Sequence, residues 1–381
     1  MLPPLPIQTL SARDQLEESL RRPLGLGAPL HRAVTPDDRI TIVLDESLPE
    51  AAVLLTAVLE HLSAVGVVLS STTIVVAPGG GQGTWIDDLP DELADVTVEV
   101  HDLEDRAKLA YLGTTPAGKR IYLNRTLVEA DFVIVLTKRR YDPTYGVSGG
   151  ASAIYPILSE PEAMVEAVGR FRTRPPGVKQ AAVVETAEDI AWMLGMPFFI
   201  QILEGPHGTI QEVLVGPPDS LDLGVDRLAA LRRVKLDVQP DLVICAVSGD
   251  PRKATFGELA MALAAGARVV DHGGKVVLLS TAAPVLDEGA DIVRHAEEPD
   301  LVPPILKKRK PDDWPFAQLW VQAASRAKIF FAAAWGDDAI EEFFAVPIRN
   351  AAEVQRLLDA AERPLIVPDA HLAMLELGDE S

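Results

Sequence analysis

The feature that most limits the fold of this chain is a repeated alternation of short apolar runs with segments of helical periodicity. Residues 39–45 (RITIVLD) predict a strand, residues 48–65 a helix begun by Pro49 and ended by Gly66, and residues 73–77 (TIVVA) the next strand. Strands rich in Val and Ile without polar alternation are typical of parallel sheets buried on both faces. The sequence therefore predicts an α/β fold with mainly parallel sheets.

Further strand-like runs continue this pattern to the C-terminal region. They are residues 96–101, 120–123 and 130–137, a hairpin over residues 197–216, and the runs LVICAV (242–247), KVVLLS (275–280), IFFAAA (329–334) and PLIVP (364–368). A chain of 381 residues is too long for one ordinary core. Since Pro240-Asp241 separates two α/β stretches, we expect two α/β domains, residues 1–238 and 239–381, with a cleft between them.

The charge of the chain limits its partners. Lys and Arg total 35 against 56 Asp and Glu, which gives a net charge of −21. A field of that sign repels phosphate backbones and anionic lipids, so we expect no nucleic acid and no membrane among its partners. The apolar region at residues 51–77 is interrupted by polar residues, and the N terminus lacks a secretory-signal pattern. The sequence predicts a cytoplasmic protein.

Cysteine and histidine usage gives no local support for a metal site. Cys245 is the single cysteine of the chain and lies in the apolar run LVICAV, which predicts a buried structural thiol. The seven histidines occur singly, without H-x-x-x-H or H-x-H spacing. We therefore expect neither a metal nor a cofactor from these patterns.

The candidate ligand site follows from the position of the loops. Ligands of open α/β sheets bind outside the carboxyl ends of the strands. That rule selects residues 45–48, 78–83, 138–152 and 248–253. The loop PGGGQG, with Gly79, Gly80 and Gly81, offers unobstructed backbone N–H groups. It is interpreted either as a cradle for a phosphate or carboxylate or as a flexible turn.

The loop at residues 138–152 holds most of the candidate ligand-binding residues. Three cations directly follow a strand, where they either hold an acidic substrate or form surface charge. The turn at residues 148–150 precedes a predicted helix and would direct N–H donors from the positive end of its dipole. The candidates in this loop are Lys138, Arg139, Arg140, Tyr145, Ser148, Gly149, Gly150 and Ser152.

The loop at residues 248–253 adds charge on the side of the second predicted domain. Asp250, Arg252 and Lys253 lie between a predicted strand and a predicted helix and could direct charge into the cleft. Asp250 equally fits a cap of the turn before Pro251. Asp45, at the end of the first strand, completes the candidate set.

Several motifs resemble the lactate racemase family. They are LGTTPAGKRIYLN (112–124), EADFVI (129–134), GVSGG (146–150) followed by Pro156, and GARVVDHGGKVVLLS (266–280). The likeness covers about residues 29–169 and 240–280. It implies two α/β domains with the active site between them and racemisation or epimerisation of 2-hydroxy acids. The family's nickel-pincer nucleotide accepts a hydride from the substrate while histidines move the hydroxyl proton.

The positions that the family uses for this chemistry hold other residues in this chain. Asp45 is kept, but Leu48 occupies the place of an arginine that grips the substrate carboxylate. The positions of the two proton-transfer histidines hold Gly81, within Gly79-Gly80-Gly81, and Asp142. Ser152 stands at the position of the cofactor-tethering lysine, and about Val168 at that of the nickel-ligating histidine. The resemblance thus implies a scaffold from which the ligands of the nickel cofactor are absent.

Two functions remain open from the sequence. One is a non-catalytic or regulatory binding protein that keeps the scaffold and an anion-binding cleft. Its partner would be a small anionic molecule, a hydroxy acid or a nucleotide, and a homo-oligomer is compatible with it. The other is a diverged racemase or epimerase that acts on a small 2-hydroxy acid by altered chemistry, with Asp142 and Lys253 as catalytic candidates. The combined loss of proton-transfer, tether and metal positions favours the first.

Overall fold

The chain forms an α/β structure in which strands and helices alternate as the sequence predicts. The computed structural model describes residues 8–378 except 26, 79–84, 94, 116–117, 169–172 and 177–181. Its strands are β1 (Ile40–Leu44), β2 (Thr72–Val76), β3 (Thr97–Val100), β4 (Leu109–Thr114), β5 (Arg120–Asn124), β6 (Phe132–Asp142), β7 (Gly146–Ser148), β8 (Phe198–Glu204), β9 (Ile210–Gly216), β10 (Arg233–Leu236), β11 (Leu242–Ala246), β12 (Lys275–Leu279), β13 (Lys328–Ala332), β14 (Ala345–Pro347), β15 (Pro364–Val367) and β16 (Met374–Leu377).

The helices pack against the faces of these strands. They are α1 (Ala12–Arg21), α2 (Leu30–Ala33), α3 (Ala51–Val65), α4 (Arg125–Val128), α5 (Pro161–Val168), α6 (Ala182–Met193), α7 (Leu221–Arg232), α8 (Phe256–Val269), α9 (Glu288–Arg294), α10 (Val302–Arg309), α11 (Trp314–Arg326), α12 (Asp337–Glu341) and α13 (Ala351–Asp359). None of the helices in these described ranges has the length and apolar character needed to cross a bilayer.

The first sheet has the strand order β3-β2-β1-β6-β8-β9. The short strand β7 lies outside this order and pairs antiparallel with the last residues of β6. From β3 to β8 all neighbours are parallel, whereas β9 turns back antiparallel to β8 as the predicted hairpin. The chain runs outward from β1 through β2 to β3 and then returns to the other side of β1 as β6. Since the loops after β1 and β6 therefore diverge, the sheet has a switch point, where a crevice opens beyond the strand ends.

The second sheet has the order β14-β13-β12-β11-β15 and is parallel throughout. Mainly parallel sheets covered by helices confirm the predicted fold class. A small parallel pair, β10 with β16, joins residues on both sides of the boundary expected at residue 238. The division into residues 1–238 and 239–381 stays a prediction.

Local signals explain where the helix α8 begins and where the helix α3 ends. The helix α8 begins with a capping box, because Thr255 accepts from the N–H of Glu258 while the Glu258 carboxylate accepts from the N–H of Thr255. The helix α3 ends at Gly66, whose φ of 97° lies in the left-handed region and whose N–H reaches the last carbonyls of the helix. Both helices bury their apolar faces against the sheets.

Two predicted strands differ from the expectation of burial on both faces. The strand β3 is an edge strand, with Val98 and Val100 37% and 45% exposed, because no strand covers its outer side. The strand β5 lies outside the parallel sheets and pairs antiparallel with β4. The motif at residues 112–124 is therefore a hairpin, since its two halves are close enough in sequence to pair with each other first.

Several aromatic side chains pack in the core, and the thiol takes the structural role predicted for it. Trp314 and Trp320 are 3% and 0% exposed, and Phe316 packs against the same core. The indole of Trp320 donates to the carbonyl of Phe343 at 2.8 Å. Cys245 is fully buried in β11, and burial raises the pKa of its thiol to about 12.

Candidate functional site

A cavity of about 680 Å³ lies beyond the carboxyl ends of β1 and β6, at the switch point of the first sheet. We call it the front cavity. Its wall is formed by the end of β1 and its loop, by the end of β6 and the segment after it, and by the loop that leads into α8. Its lining residues are Val43, Leu44, Asp45, Glu46, Ser47, Leu48, Ala77, Trp85, Thr137, Lys138, Arg140, Asp142, Tyr145, Ser148, Gly149, Ser152, Ala153, Ile157, Leu158, Lys253 and Thr255.

Successive charged side chains of β6 point to opposite faces of the sheet. Lys138, Arg140 and Asp142 line the front cavity, whereas Arg139 does not. The Arg139 guanidinium is buried on the other face of the strand, where it donates to the carbonyls of Gly149 and Leu221 at 2.8 Å each. Burial lowers its pKa to about 10. The structure therefore gives Arg139 contacts within the fold and separates it from the two cations that face the cavity.

Asp45 forms a fixed ionised group at the base of the cavity. Its carboxylate accepts from the backbone N–H of Ser47 at 3.0 Å, from the Ser47 hydroxyl at 2.5 Å and from the N–H of Lys138 at 3.3 Å. Burial alone would raise its pKa, but the charges of Lys138 and Arg140 and the hydrogen bonds from Ser47 lower the pKa below its ordinary value. Asp45 thus joins the loop after β1 to the end of β6.

Lys138 is committed to an internal ion pair. Its side chain is 5% exposed, and its Nζ lies 3.6 Å from a carboxylate oxygen of Glu204, which is 15% exposed. Glu204 ends β8, the neighbour of β6, so parallel pairing brings the two residues to the same sheet end. The rule of strand ends that selected the other loops would also have selected Glu204, which was missed in the sequence.

Arg140 is the cation with the most unused hydrogen-bonding capacity in the cavity wall. Its backbone pairs with Ser148 of β7, which holds the half-buried side chain at the cavity. Among the residues that the structure describes, none hydrogen-bonds or ion-pairs with its guanidinium. Five N–H donors in a rigid fork are therefore left for a ligand.

Asp142 and Tyr145 form the turn between β6 and β7. The Asp142 carboxylate accepts from the N–H groups of Thr144 and Tyr145 at 2.7 and 2.9 Å. Burial, together with the charge of Asp142, raises the pKa of the Tyr145 hydroxyl. Both residues line the front cavity as predicted. The carboxylate of Asp142 is oriented by the turn that it caps.

Glycine is required at residue 149 by close backbone approach and is favoured at residue 150 by a φ of 60°. A Cβ at Gly149, where φ is 84°, would lie 1.8 Å from the carbonyl oxygen of Lys138. The N–H of Gly150 donates to the Thr137 hydroxyl at 2.9 Å, so that donor is not directed at a ligand. The segment that follows is a single 3₁₀ turn (Gly150–Ala153) in place of the predicted helix. The Ser152 hydroxyl lines the cavity and donates to the carbonyl of Gly149 at 3.1 Å.

The charged residues of the loop after β11 lie partly in the cavity wall and partly outside it. Lys253 lines the front cavity, but Asp250 and Arg252 do not. Arg252 is 87% exposed, and its guanidinium ion-pairs with Asp250 at 2.8 Å. Asp250 also accepts from the N–H of Arg252 at 3.0 Å, which confirms its reading as a turn cap. The hydrogen bonds from Arg252 lower the pKa of Asp250 to about 2.

Two wall residues were not singled out from the sequence. The indole of Trp85 is 4% exposed and donates to one carboxylate oxygen of Glu46 at 2.8 Å. The other carboxylate oxygen of Glu46 is buried and accepts no hydrogen bond from any described residue. Glu46 lies within the predicted loop at residues 45–48, whereas no local signal connects Trp85 with it across 39 positions.

No histidine or cysteine is among the described residues that line the cavity. Across the described part of the chain, no group of three or more His, Cys, Asp or Glu side chains is arranged to hold a metal ion. Gly79, Gly80 and Gly81 lie outside the described residues. The electrostatics of the cavity come from three cations, Lys138, Arg140 and Lys253, and three carboxylates, Asp45, Glu46 and Asp142.

The chain is similar to known proteins of one family. Residues 3–169 match the family model described as the lactate racemase N-terminal domain. A lactate racemase from Thermoanaerobacterium thermosaccharolyticum is 19% identical over 376 residues, covering 92% of this chain and 86% of that protein. The solved structure of that organism's lactate racemase apoprotein superposes with a TM-score of 0.78 at 17% identity, over 99% of this chain and 96% of that chain.

A second solved structure, a protein from Thermotoga maritima, has a TM-score of 0.67 at 12% identity and covers 96% of this chain and 98% of that chain. At these identities the solved structures establish the fold alone. The motifs at residues 112–124 and 146–150 form the hairpin and the cavity wall inside the region that the family model matches. Residues 3–169 thus match the lactate racemase N-terminal domain, and the chain is similar to a lactate racemase along most of its length.

Proposed function

We propose that this protein binds a small monoanionic 2-hydroxy acid in the front cavity and does not racemise it with a nickel-pincer nucleotide. The observation that carries the proposal is the guanidinium of Arg140. It lies in the wall of the front cavity, where its charge acts on Asp45 but no described residue hydrogen-bonds or ion-pairs with it. A carboxylate is the complementary partner, because it matches the fork of the guanidinium bidentately.

The charge balance of the cavity wall supports a singly charged ligand. Three carboxylates stand beside three cations, so a phosphate chain would meet repulsion as well as attraction. Lys138 is already paired with Glu204, and the pairing leaves Arg140 and Lys253 for the ligand. Apolar residues such as Leu48 and Ile157 complete the wall and suit a short alkyl group.

The side chains present do not fit the nickel-pincer nucleotide of the family. The resemblance assigns its tether to position 152, where a serine hydroxyl cannot replace a lysine amine. That hydroxyl is bonded to the carbonyl of Gly149. The described wall offers carboxylates, hydroxyls and cations, and the cations repel a metal ion. We therefore derive no reaction step through that cofactor.

The alternative is a racemase or epimerase with altered chemistry, in which Asp142 and Lys253 would exchange protons with the substrate. The Asp142 carboxylate already accepts two backbone N–H groups of the turn that it caps, so it is engaged within the fold. An α-hydrogen beside a carboxylate is a very poor acid, so such a base gives little catalysis. This geometry favours the binding protein.

Calorimetric titration of the purified protein with D- and L-lactate tests the proposal. We expect binding that weakens about tenfold or more in Arg140→Gln, because a charge-assisted bidentate contact is lost. Arg252→Gln is the matched control: it removes an arginine outside the cavity and should bind as the wild type does. Equal affinity of the wild type and Arg140→Gln would contradict the proposed site.

Chiral chromatography after long incubation with each enantiomer separates the two functions. The binding protein leaves each enantiomer unchanged. Conversion of one enantiomer into the other, lost in Asp142→Asn or Lys253→Gln, would establish the alternative instead.

A further inference from the structure

A second cavity, of about 360 Å³, lies behind the strand that carries the charges of the front cavity. We call it the rear cavity. Tyr141 of β6 lines it, whereas the adjacent residues Arg140 and Asp142 line the front cavity. Strand alternation explains this division, because successive side chains point to opposite faces. The rear cavity is lined by Tyr141, Thr173, Arg174, Pro175, Ala264, Ala267, Arg268, Leu319, Gln322, Ala323 and Arg326.

The charge of this lining is opposite to that of the whole protein. Three arginines face the rear cavity, and none of its described lining residues is Asp or Glu. The chain as a whole has 56 acidic residues against 35 basic ones, so arginines collected without carboxylates are not expected from composition. Three neighbouring guanidinium groups repel one another unless an anion lies between them.

The arginines also have donors to spare. Arg268 donates to the carbonyl of Leu375 at 3.5 Å and lies over the ring of Tyr141 at 5.8 Å. Arg326 donates to the carbonyl of Val270 at 3.2 Å, and its buried Nε has no hydrogen-bond partner among the described residues. No described residue bonds to the guanidinium of Arg174.

A purely structural role accounts for part of this arrangement. Arg268 and Arg326 lie in the last turns of α8 and α11, where cations favourably oppose the helix dipole. That role engages few of their donors and leaves Arg174, which belongs to neither helix, unexplained. Glu376, outside the lining, is ion-paired with Arg233 at 3.3 Å, and its charge also acts on Arg268. One carboxylate shared in this way does not balance three arginines.

We propose that the rear cavity is a second ligand site, which binds a polyvalent oxyanion of the phosphate class through Arg174, Arg268 and Arg326. Guanidinium groups bind phosphate oxygens bidentately, and three of them match a group with more than one negative charge. Gln322, whose amide oxygen accepts from Thr173 at 3.1 Å, keeps its amide N–H groups for the same ligand. The front cavity, with its balanced charges, does not offer this complementarity.

Titration calorimetry of the full-length protein with inorganic pyrophosphate at constant ionic strength tests the site. We expect one binding event, much stronger than that of acetate, and about tenfold or greater weakening in Arg174→Gln and in Arg326→Gln. Arg252→Gln, on the exposed loop, should bind pyrophosphate as the wild type does. Arg174→Gln is the safest of the variants for folding, since no described residue bonds to its guanidinium.

Three results would overturn the proposal. The first is the absence of pyrophosphate binding to the wild type. The second is unchanged binding in both rear-cavity variants with native circular dichroism. The third is loss of binding in Arg140→Gln with retention in Arg174→Gln, which would place the anion in the front cavity. Because lactate binding is measured separately, failure of the rear site leaves the proposed function of the front cavity unaffected.

Discussion

Replacing Gly149 by alanine tests how the wall of the front cavity is built. The backbone there has φ of 84° and ψ of 178°, a conformation that is essentially confined to glycine. An added Cβ would lie 1.8 Å from the carbonyl oxygen of Lys138. The position of the added Cβ is fixed by its own backbone, and the carbonyl oxygen belongs to the backbone of β6. No rotamer change therefore relieves the overlap, and β6 or the turn must move.

The expected cost combines two effects. Backbone strain contributes about 1–3 kcal/mol, and displacement of packed backbone adds about 1–3 kcal/mol. Gly195→Ala is the matched control, because Gly195 also has a positive φ, of 92°, but nothing lies within 4 Å of its added Cβ. That variant should lose only about 1–2 kcal/mol.

Urea unfolding followed by tryptophan fluorescence measures the difference between the two variants. We expect Gly149→Ala to be less stable than Gly195→Ala by about 2 kcal/mol, and to bind lactate more weakly because Lys138 and Arg140 are displaced. Equal unfolding free energies of the two variants would show that the turn relaxes freely. The close approach of Gly149 to Lys138 would then have no energetic consequence.

Three further predictions concern the base of the cavity, the core and the thiol. The lowered pKa of Asp45 means that its contribution to stability is present above the ordinary carboxyl pKa, near about 4, and is lost as the pH falls through the pKa of the folded state. Asp45→Asn should therefore be less stable than the wild type near neutral pH. As the pH is lowered, the unfolding free energy of this variant should fall less steeply than that of the wild type. Trp320→Phe leaves the carbonyl of Phe343 without its donor and a gap in the core, so urea unfolding should show a loss of about 1–3 kcal/mol, whereas an unchanged midpoint would contradict the packing. Burial raises the pKa of Cys245 to about 12, so a disulfide reagent at pH 8 should label the thiol only after denaturation, and rapid labelling of the native protein would refute its burial.

Most of the fold could be predicted from local pattern. The apolar runs that became β1, β2, β6, β11 and β12 are short, rich in β-branched residues and separated by helical segments, so period and composition agree. The predicted burial of β3 and β5 on both faces was wrong. The exposure of an edge strand and the pairing of a hairpin depend on which strand lies beside them. Composition carries no information on that neighbour.

The candidate site shows the same division. Position after a strand selected Asp45, Lys138, Arg140 and Lys253, and all four line one cavity. It could not separate Arg139 from its neighbours in function, since that depends on which face of β6 is covered by Leu221 and the glycine turn. Nor could it find Trp85 or the arginines of the rear cavity, which come from distant segments.

The sequence by itself determined the α/β class, the strand ends at which polar residues gather and the resemblance to the lactate racemase family, because these depend on short-range pattern. Only the tertiary structure decided which cations have protein partners. Lys138 is paired with Glu204 and Arg139 with carbonyls, while no described residue bonds to the guanidinium of Arg140. The physical reason is that the availability of a charged group depends on the residues that packing brings within hydrogen-bond distance, and most of these are far away along the chain.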